Sequence, residues 1–287
     1  MIRIIDTSNK IDSLFVESKF DLSVWEAYIN SIYENCAHYF TDDMNECIGT
    51  GKYTFEHDFL PIINAVYNNS KLSQLYKNFN EATNKLNEKV VERFGKELDV
   101  DIVLYLGLSN GAGWVMTIND RNTVMLGIEK IIELDWVDRV SMCGLIYHEL
   151  GHIYQLQYGT LEQESPNNDK NFVWQLFTEG IAMYFEQELV GDKNFYHQDK
   201  NGWKLWCDGH FEQILADFNT DLPEMSYSNQ RYFGDWANYF GYGDVGYYLG
   251  ARFVRYLLKN CEFGDIINFD INNIYERYIE FTKETLQ

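Results

Sequence analysis

The spacing of apolar residues predicts helices in the first hundred residues. Between residues 71 and 94, apolar positions recur every three or four residues, which is typical of an amphipathic helix, and Gly95 would end it. A second helix is predicted from about residue 24 to residue 40, opened by a capping box of Ser23 and Glu26. This part of the chain is therefore expected to be mostly helical.

The pattern then changes to short apolar runs rich in β-branched residues. Residues 100–108, 114–118 and 123–128 each have the length and composition of a strand. Residues 119–122 (NDRN) between the last two runs read as a turn. These segments predict a small antiparallel sheet.

After about Val137 the helical spacing returns. The predicted helices lie near residues 138–157, 172–190, 203–218, 245–260 and 265–284. The order of helices, small sheet and helices predicts a helix-rich α+β fold, with the sheet packed beside the first of these helices and a C-terminal helical region. We expect a helical N-terminal region, 1–98, and a second region, 99–287, although no linker composition separates them and they could form one compact unit.

Composition restricts the partners of the chain. The formal net charge is −21, from 44 acidic and 23 basic residues, and such a field repels nucleic acid and anionic membranes. The N-terminus lacks the long apolar core of a signal peptide, and no apolar run reaches the length of a membrane span. Five scattered cysteines, with no CxxC spacing, suggest no disulfide framework. A cytoplasmic protein is expected, without nucleic acid or membrane partners. The oligomeric state does not follow from the sequence.

One motif carries specific chemistry, the HExxH sequence formed by residues 148–152. On a helix, His148 and His152 lie on nearly the same face, so both imidazoles can bind one zinc ion. Glu149 projects about 100° away, beside the ion, where its carboxylate can accept a proton from the attacking water. The motif therefore predicts a Zn2+ hydrolase with Glu149 as the general base.

A catalytic zinc site needs a third protein ligand. A metzincin is excluded, because Gln155 and Tyr158 stand where that class has glycine and histidine. The acidic candidates downstream are Glu162, Glu164, Asp169, Glu179 and Glu186. Glu179 is the preferred ligand because it lies inside an apolar helical stretch, where a carboxylate needs a compensating partner. Its neighbours Gly180 and Ala182 would let this helix pack close to the first.

HExxH followed by a Glu-Gly-x-Ala segment resembles the gluzincin zinc peptidases, the group of thermolysin and aminopeptidase N. More narrowly, the chain is similar to a bacterial family of predicted zinc-dependent proteases of unassigned substrate. That family has an HExxH helix, a Glu-Gly helix and a Gly-Tyr-x-x-Gly helix, here 148–152, 179–180 and 246–250. One departure is that 26 residues separate His152 from Glu179, more than in thermolysin or aminopeptidase N.

The resemblance implies two further functional elements. An oxyanion donor is expected from the later helices, with Tyr247 preferred and Tyr248, His210 and His197 as alternatives. An edge strand beside the HExxH helix would align the substrate backbone, and residues 111–117 are the expected counterpart, with Gly113 and Trp114 as substrate-binding residues. A simple glycine-containing hairpin is the alternative interpretation of that segment.

These features predict a cytoplasmic zinc metallopeptidase that acts on a peptide or protein substrate. His148, His152 and Glu179 would bind the metal, and Glu149 and Tyr247 would act in catalysis. Three alternatives stay open: a zinc hydrolase of a non-peptide amide or ester, a non-catalytic protein with a structural or regulatory zinc, and a helical protein that binds no metal. The sequence does not identify the substrate, nor decide between endo- and exopeptidase action.

Overall fold

The computed structural model describes all 287 residues and confirms the helix-rich α+β class. Two compact units are distinguished, residues 1–149 and 150–287, and the point of division falls inside one continuous helix. This division differs from the expected boundary at residue 98, because a strand formed by residues 2–6 pairs with residues 100–104. The helical N-terminal region and the sheet therefore belong to the same unit.

The first unit contains a four-stranded sheet and a two-stranded ribbon. The strands are β1 (Ile2–Asp6), β2 (Phe15–Val16), β3 (Lys19–Phe20), β4 (Val100–Tyr105), β5 (Gly113–Ile118) and β6 (Arg121–Gly127). The larger sheet has the order β1-β4-β6-β5, whereas β2 and β3 form the ribbon. Every residue of β4 is buried, so the core of this unit lies around its central strand.

The expected hairpin is present, but the larger sheet is not purely antiparallel as predicted. β5 and β6 pair antiparallel through a turn in which Asn119 and Asp120 have positive φ angles of 49° and 62°. However, β4 lies parallel to both β1 and β6. Parallel neighbours require a long crossover connection, and the helices between β1 and β4 supply one. Residues 2–6 were not predicted to form a strand, so the parallel pairing was not predicted either.

The helices of the first unit are shorter than predicted. They are α1 (Leu22–Asn30), α2 (Ala37–Gly49), α3 (Leu60–Asn64), α4 (Leu72–Thr83), α5 (Leu86–Phe94), α6 (Ile128–Glu133) and the beginning of α7 (Arg139–Tyr158). The helix predicted over 71–94 is interrupted at Lys85, which has a left-handed φ of 57°, whereas Gly95 ends α5 as expected. Asp21, and not Ser23, caps α1, because its side chain accepts the backbone N–H groups of Ser23 and Val24.

The second unit is helical and is organised around its longest helix. It contains the rest of α7, then α8 (Asn168–Val190), α9 (Trp203–Gly209), α10 (Phe211–Asp221), α11 (Val245–Leu257), α12 (Phe263–Ile266) and α13 (Ile271–Leu286). The helices predicted near 138–157, 172–190 and 245–260 are confirmed, whereas those near 203–218 and 265–284 are each divided in two. None of these helices, nor any in the first unit, has both the length and the apolar character needed to cross a membrane.

Two glycines let α8 and α11 approach until their backbones touch. A Cβ atom on Gly180 would lie 2.3 Å from the carbonyl oxygen of Gly250, and one on Gly250 would lie 2.4 Å from the carbonyl oxygen of Leu176. The glycine of the Glu-Gly segment and the last glycine of the Gly-Tyr-x-x-Gly segment are thus partners in one helix crossing. A methyl group at either position would force these helices apart.

Candidate metal centre

The HExxH residues lie on α7, as predicted. The helix begins after Asp138, whose carboxylate accepts the backbone N–H groups of Val140 and Ser141, both at 3.0 Å. Because the helix is continuous, His148 and His152 are separated by one turn and present their imidazoles on one face. His148 and Glu149 are buried, whereas the side chain of His152 is 14% exposed. The motif therefore runs from the interior toward solvent.

Glu179, the preferred third ligand, is brought to both histidines. The structure places its Oε2 atom 3.4 Å from Nε2 of His152, and the side chain is 15% exposed. One ligand atom from each of His148, His152 and Glu179 lies within 4.8 Å of the other two. Two imidazole nitrogens and one carboxylate oxygen are thus close enough to bind a single ion.

A glycine in the motif permits the close approach of α7 and α8. A Cβ atom on Gly151 would lie 2.6 Å from the Cα of Ala182 and 3.0 Å from the Cβ of Phe185. Gly151 directly precedes His152, and Ala182 is three residues after Glu179 on α8. These small residues therefore set the separation of the two ligands. Ala182 was expected to allow this packing, whereas Gly180 packs on α11 instead.

A second group of candidate ligands shares His148 with the first. His148, Glu186 and His197 also have ligand atoms within 4.8 Å of one another, and all three residues are buried. Both oxygens of Glu186 already accept hydrogen bonds from His197: Oε1 from its backbone N–H and Oε2 from Nδ1, each at 2.9 Å. A ligating histidine usually donates its other nitrogen to a carboxylate, and Glu186 is the carboxylate of this second group.

The remaining acidic candidates are not part of either group. Glu162 and Glu164 are exposed in the segment between α7 and α8, and Asp169 lies in the first turn of α8. The long interval between His152 and Glu179 has a simple structural origin. It contains the last six residues of α7, the nine-residue connection 159–167 and the first eleven residues of α8. Glu179 thus lies about three turns into its helix.

Glu149 lies beside the start of the edge strand. A Cβ atom on Gly113 would be 2.6 Å from Oε1 of Glu149 and 2.8 Å from Cδ1 of Leu145. Gly113 opens β5, which is the terminal strand of the sheet. The absence of a side chain at this position is therefore what allows the strand to lie against the predicted general base.

Trp114, the other predicted substrate-binding residue, lies on the opposite face of the sheet from α7. Successive residues of a strand point to opposite faces, so Trp114 is directed away from Glu149. Its indole Nε1 donates to the hydroxyl of Tyr105 at 3.1 Å, and its ring meets that of Phe40 edge-on at 5.4 Å. Trp114 thus packs against Tyr105 and Phe40, whereas Gly113 lies beside the predicted base.

The predicted oxyanion donors have different surroundings. Tyr247 is half-buried in the first turn of α11, with its ring 6.3 Å from that of Phe233. Tyr248 is buried, and its hydroxyl donates to Asp208 at 2.9 Å. Nδ1 of His210 lies 2.7 Å from the carbonyl oxygen of Trp206. Of these candidates, only His197 belongs to a group of possible metal ligands.

One buried acidic residue near the edge strand was missed by the sequence analysis. Glu129 is 1% exposed, in the first turn of α6. Burial raises its pKa to about 7, although hydrogen bonds from backbone N–H groups and the charge of Lys130 act in the opposite direction. The signal in the sequence was an acidic residue and a lysine inside the apolar run 124–132.

No protein-family model, curated protein or solved structure matches the chain. The functional interpretation therefore rests on the residues of the candidate metal centre and on the structure around them.

Proposed function

We propose that this protein is a zinc-dependent hydrolase that cleaves peptide bonds. The observation that carries the proposal is the convergence of His148, His152 and Glu179 on one point, with Glu149 on the same helix as the two histidines. Two histidines and one carboxylate form a donor set typical of catalytic zinc, which keeps one coordination position open. A zinc site closed by four protein ligands would not require an acidic residue beside it.

The spacing of the donor atoms suits zinc. Bonds of about 2.0–2.1 Å in a tetrahedral arrangement separate two ligand atoms by roughly 3.3 Å. The separation between Nε2 of His152 and Oε2 of Glu179 is 3.4 Å. This pair could therefore bind the ion with little movement of α7 relative to α8.

The reaction follows from the residues around this point. A zinc ion at the site would supply Lewis acidity, polarising the scissile carbonyl and making a water molecule more acidic. Glu149 would accept the proton of the attacking water and deliver it to the leaving amine. Its burial favours this role, because few solvent molecules compete for the carboxylate. Tyr247 remains the preferred donor to the developing oxyanion.

The edge strand would align the substrate. β5 is hydrogen-bonded to β6 on one side, and a peptide in an extended conformation could add to its other side. Gly113 would let the peptide backbone approach Glu149 closely, since nothing but a hydrogen atom projects from its Cα. This arrangement favours a peptide over a small ester or amide, which would gain nothing from an added strand.

The first test is the metal content of purified protein by elemental mass spectrometry, followed by hydrolysis of a quenched fluorogenic peptide library. We expect about one zinc per chain, because three-ligand zinc sites bind tightly. Cleavage should be lost in Glu149→Gln with the zinc retained. Absence of zinc after reconstitution, or full activity in Glu149→Gln, would overturn the proposal. A zinc protein that cleaves only esters or small amides would favour the non-peptide alternative.

A second experiment distinguishes the two groups of ligands. Zinc affinity should fall below detection in His152→Ala and Glu179→Ala, whereas His197→Ala should lose about 10–100-fold, as expected for a residue outside the coordination shell. The matched control is His210→Ala, a histidine bonded to the helix backbone, which should leave zinc affinity unchanged. The opposite ranking would favour a fully buried ion held by His148, Glu186 and His197, and with it the structural zinc alternative.

A further inference from the structure

The connection between β4 and β5 is a seven-residue loop, 106–112, that leads directly into the edge strand. Its sequence, LGLSNGA, contains two glycines, and Ser109 has a left-handed φ of 65°. Such a conformation is uncommon for a residue other than glycine and must be held by its surroundings. The position of Gly113 depends on this loop, because the loop ends where β5 begins.

The carboxylate of Glu129 holds the first half of the loop. Its Oε2 atom accepts the backbone N–H of Gly107 at 2.8 Å, and its Oε1 atom accepts that of Ser109 at 3.1 Å. Each oxygen therefore fixes one amide of the loop. No arginine or lysine is hydrogen-bonded to this carboxylate, so its hydrogen bonds go mainly to the backbone.

Two glycines fit closely around this carboxylate and the end of the loop. A Cβ atom on Gly107 would lie 2.4 Å from Oε1 of Glu129. One on Gly127 would lie 2.5 Å from the carbonyl oxygen of Gly111, and the N–H of Gly127 donates to the carbonyl of Ala112 at 3.0 Å. The end of β6 and the start of α6 thus hold both halves of the loop.

A separate contact ties the middle of the loop to α2. The side-chain amide of Asn110 donates to the carbonyl of Phe40 at 3.0 Å and to Asp43 at 2.8 Å. Its side-chain oxygen accepts the N–H of Leu108. With the loop fixed on both sides, β5 starts at one defined place, where Gly113 meets Glu149.

We propose that Glu129 is a positioning residue, whose bonds to the amides of Gly107 and Ser109 place the edge strand against Glu149 and so set the affinity for an extended peptide. The substrate part of this inference rests on the proposed function, whereas the loop-holding part does not. Glu129 belongs to neither group of candidate ligands. Its effect is therefore expected on the binding of long ligands and not on the metal.

The first test is hydrogen exchange of zinc-loaded protein, which needs no substrate. In Glu129→Gln the side-chain amide would turn a donor toward one of the two loop amides, and that hydrogen bond would be lost. We expect amides of residues 107–116 to exchange at least tenfold faster, with the α7 amides unchanged. Glu133→Gln, the same change on an exposed residue of α6, is the control. Equal exchange in all three proteins would overturn the proposal.

The second test compares two inhibitors on the same variants. Acetohydroxamate reports on the metal alone, whereas a tripeptidyl hydroxamate would also extend along β5. Glu129→Gln should weaken the tripeptidyl compound at least tenfold and change acetohydroxamate and zinc content less than twofold. Equal weakening of both compounds would contradict the inference, since it would mean that Glu129 acts on the metal centre or on folding as a whole. An unchanged affinity for both would also contradict it.

Gly107→Ala provides an independent variant if Glu129→Gln does not fold. Its added methyl group would displace the same carboxylate, so it should reproduce both effects. Gly49→Ala is its control, because a Cβ atom there meets nothing within 4 Å. If acetohydroxamate fails to bind the zinc-loaded wild type, the proposed function fails. The exchange experiment then still decides whether Glu129 holds the loop.

Discussion

At one end of the mixed sheet a buried carboxylate is surrounded by cations, whereas at the other end a buried carboxylate is surrounded by backbone amides. Asp101, near the start of β4, receives hydrogen bonds from Arg3, Arg121 and Tyr33. Glu129, after the end of β6, receives them from Gly107 and Ser109. Both side chains are buried, so the difference lies in their partners.

The two environments shift the two pKa values in opposite directions. Burial alone would raise the pKa of Asp101, but the hydrogen bonds from Arg3, Arg121 and Tyr33 outweigh it and lower the pKa. Burial dominates at Glu129, whose pKa is raised to about 7. The ionised form of Asp101 is thus stabilised by its charged partners. The ionised form of Glu129, whose carboxylate is hydrogen-bonded to loop amides, is disfavoured by its burial.

The contrast explains where a site can form. At the Asp101 end, the side chains of Arg3 and Arg121 are hydrogen-bonded to the buried carboxylate. At the other end the parallel strands finish, and Gly113 lets the start of β5 lie against Glu149. Ligands of sheets with parallel strands commonly bind at the carboxyl ends of those strands. We therefore expect substitutions at the first end to change stability and those at the second to change turnover.

The largest effect that sharpens this contrast is expected for Glu149→Gln. If Glu149 is the general base, as proposed, its removal should lower kcat about 10³-fold, within the range usual for such groups. The free energy of unfolding and the zinc content should stay unchanged, because the amide has the shape of the carboxylate. Turnover of the peptide library and urea unfolding of zinc-loaded protein measure the two properties. Similar losses of activity and stability would remove the distinction between the two ends.

The next largest effect is expected for Asp101→Ala, which should lower the free energy of unfolding by about 3–5 kcal/mol. The reason is that two guanidinium groups and the Tyr33 hydroxyl would lose a buried acceptor. Urea unfolding at pH 7 provides the measurement, and zinc affinity should not change. Asp99→Ala is the control: its side chain is 66% exposed, and its loss should cost less than about 1 kcal/mol. Equal costs would mean that burial at Asp101 contributes nothing.

Glu129 contributes to the pH dependence of stability with a sign opposite to that of Asp101, because its pKa is raised and not lowered. Its pKa in the folded protein is about 7, above the usual value of 4.5, so the folded state binds the proton more tightly than the unfolded state. Stability from this group is greatest below pH 4.5 and declines until pH 7. Between pH 5 and pH 8 the decline should be about 2–3 kcal/mol, from 1.36 kcal/mol per pKa unit.

The stability difference between wild type and Glu129→Gln isolates this contribution, because all other titrating groups cancel. Urea unfolding at several pH values should show that the free energy of unfolding of the wild type falls relative to that of Glu129→Gln as the pH rises. Asp101 contributes no slope in this range, since its lowered pKa confines its titration to more acidic conditions. A constant difference from pH 5 to pH 8 would show that Glu129 does not titrate there.

The sequence predicts the members of the candidate metal group better than the surroundings of Glu149. His148 and His152 follow from helical periodicity alone, and Glu179 from its place in an apolar helix. Local spacing also identifies the β5–β6 hairpin. By contrast, the pairing of β1 with β4 joins residues almost a hundred positions apart, and no local pattern encodes it. The direction of Trp114 does not follow from the sequence either, because it depends on which face of the sheet α7 covers.

The breaks in the predicted helices have a different cause. Lys85 interrupts an otherwise continuous amphipathic pattern by adopting a left-handed conformation, which lysine rarely favours. Glu129 was missed because an isolated glutamate before a lysine reads as ordinary helix surface. Its role becomes visible only in the fold, where its carboxylate accepts hydrogen bonds from the backbone N–H groups of residues 107 and 109. Features such as the helix break at Lys85 and the burial of Glu129 therefore depend on tertiary contacts, which the periodicity of the sequence does not reveal.

The smallest effect is expected for Gly113→Ala, which tests the contact between β5 and Glu149 directly. The added methyl group would lie 2.6 Å from Oε1 of Glu149 and 2.8 Å from Cδ1 of Leu145, so the strand or the carboxylate must shift. We expect kcat/KM to fall about 10-fold and the free energy of unfolding to fall by about 1–2 kcal/mol, as for modest overpacking. The backbone itself would not be strained, because Gly113 has no positive φ.

Gly111→Ala is the matched control for this contact. It lies in the same connection, also without a positive φ, but its Cβ would meet only the carbonyl oxygen of Gly113, at 3.4 Å. Activity within twofold of the wild type is expected, together with unchanged zinc content in both variants. If Gly113→Ala cleaves the peptide library as fast as Gly111→Ala, close approach at Gly113 is not needed for turnover. The two ends of the sheet would then differ in the charged partners of their buried carboxylates, and not in their importance for turnover.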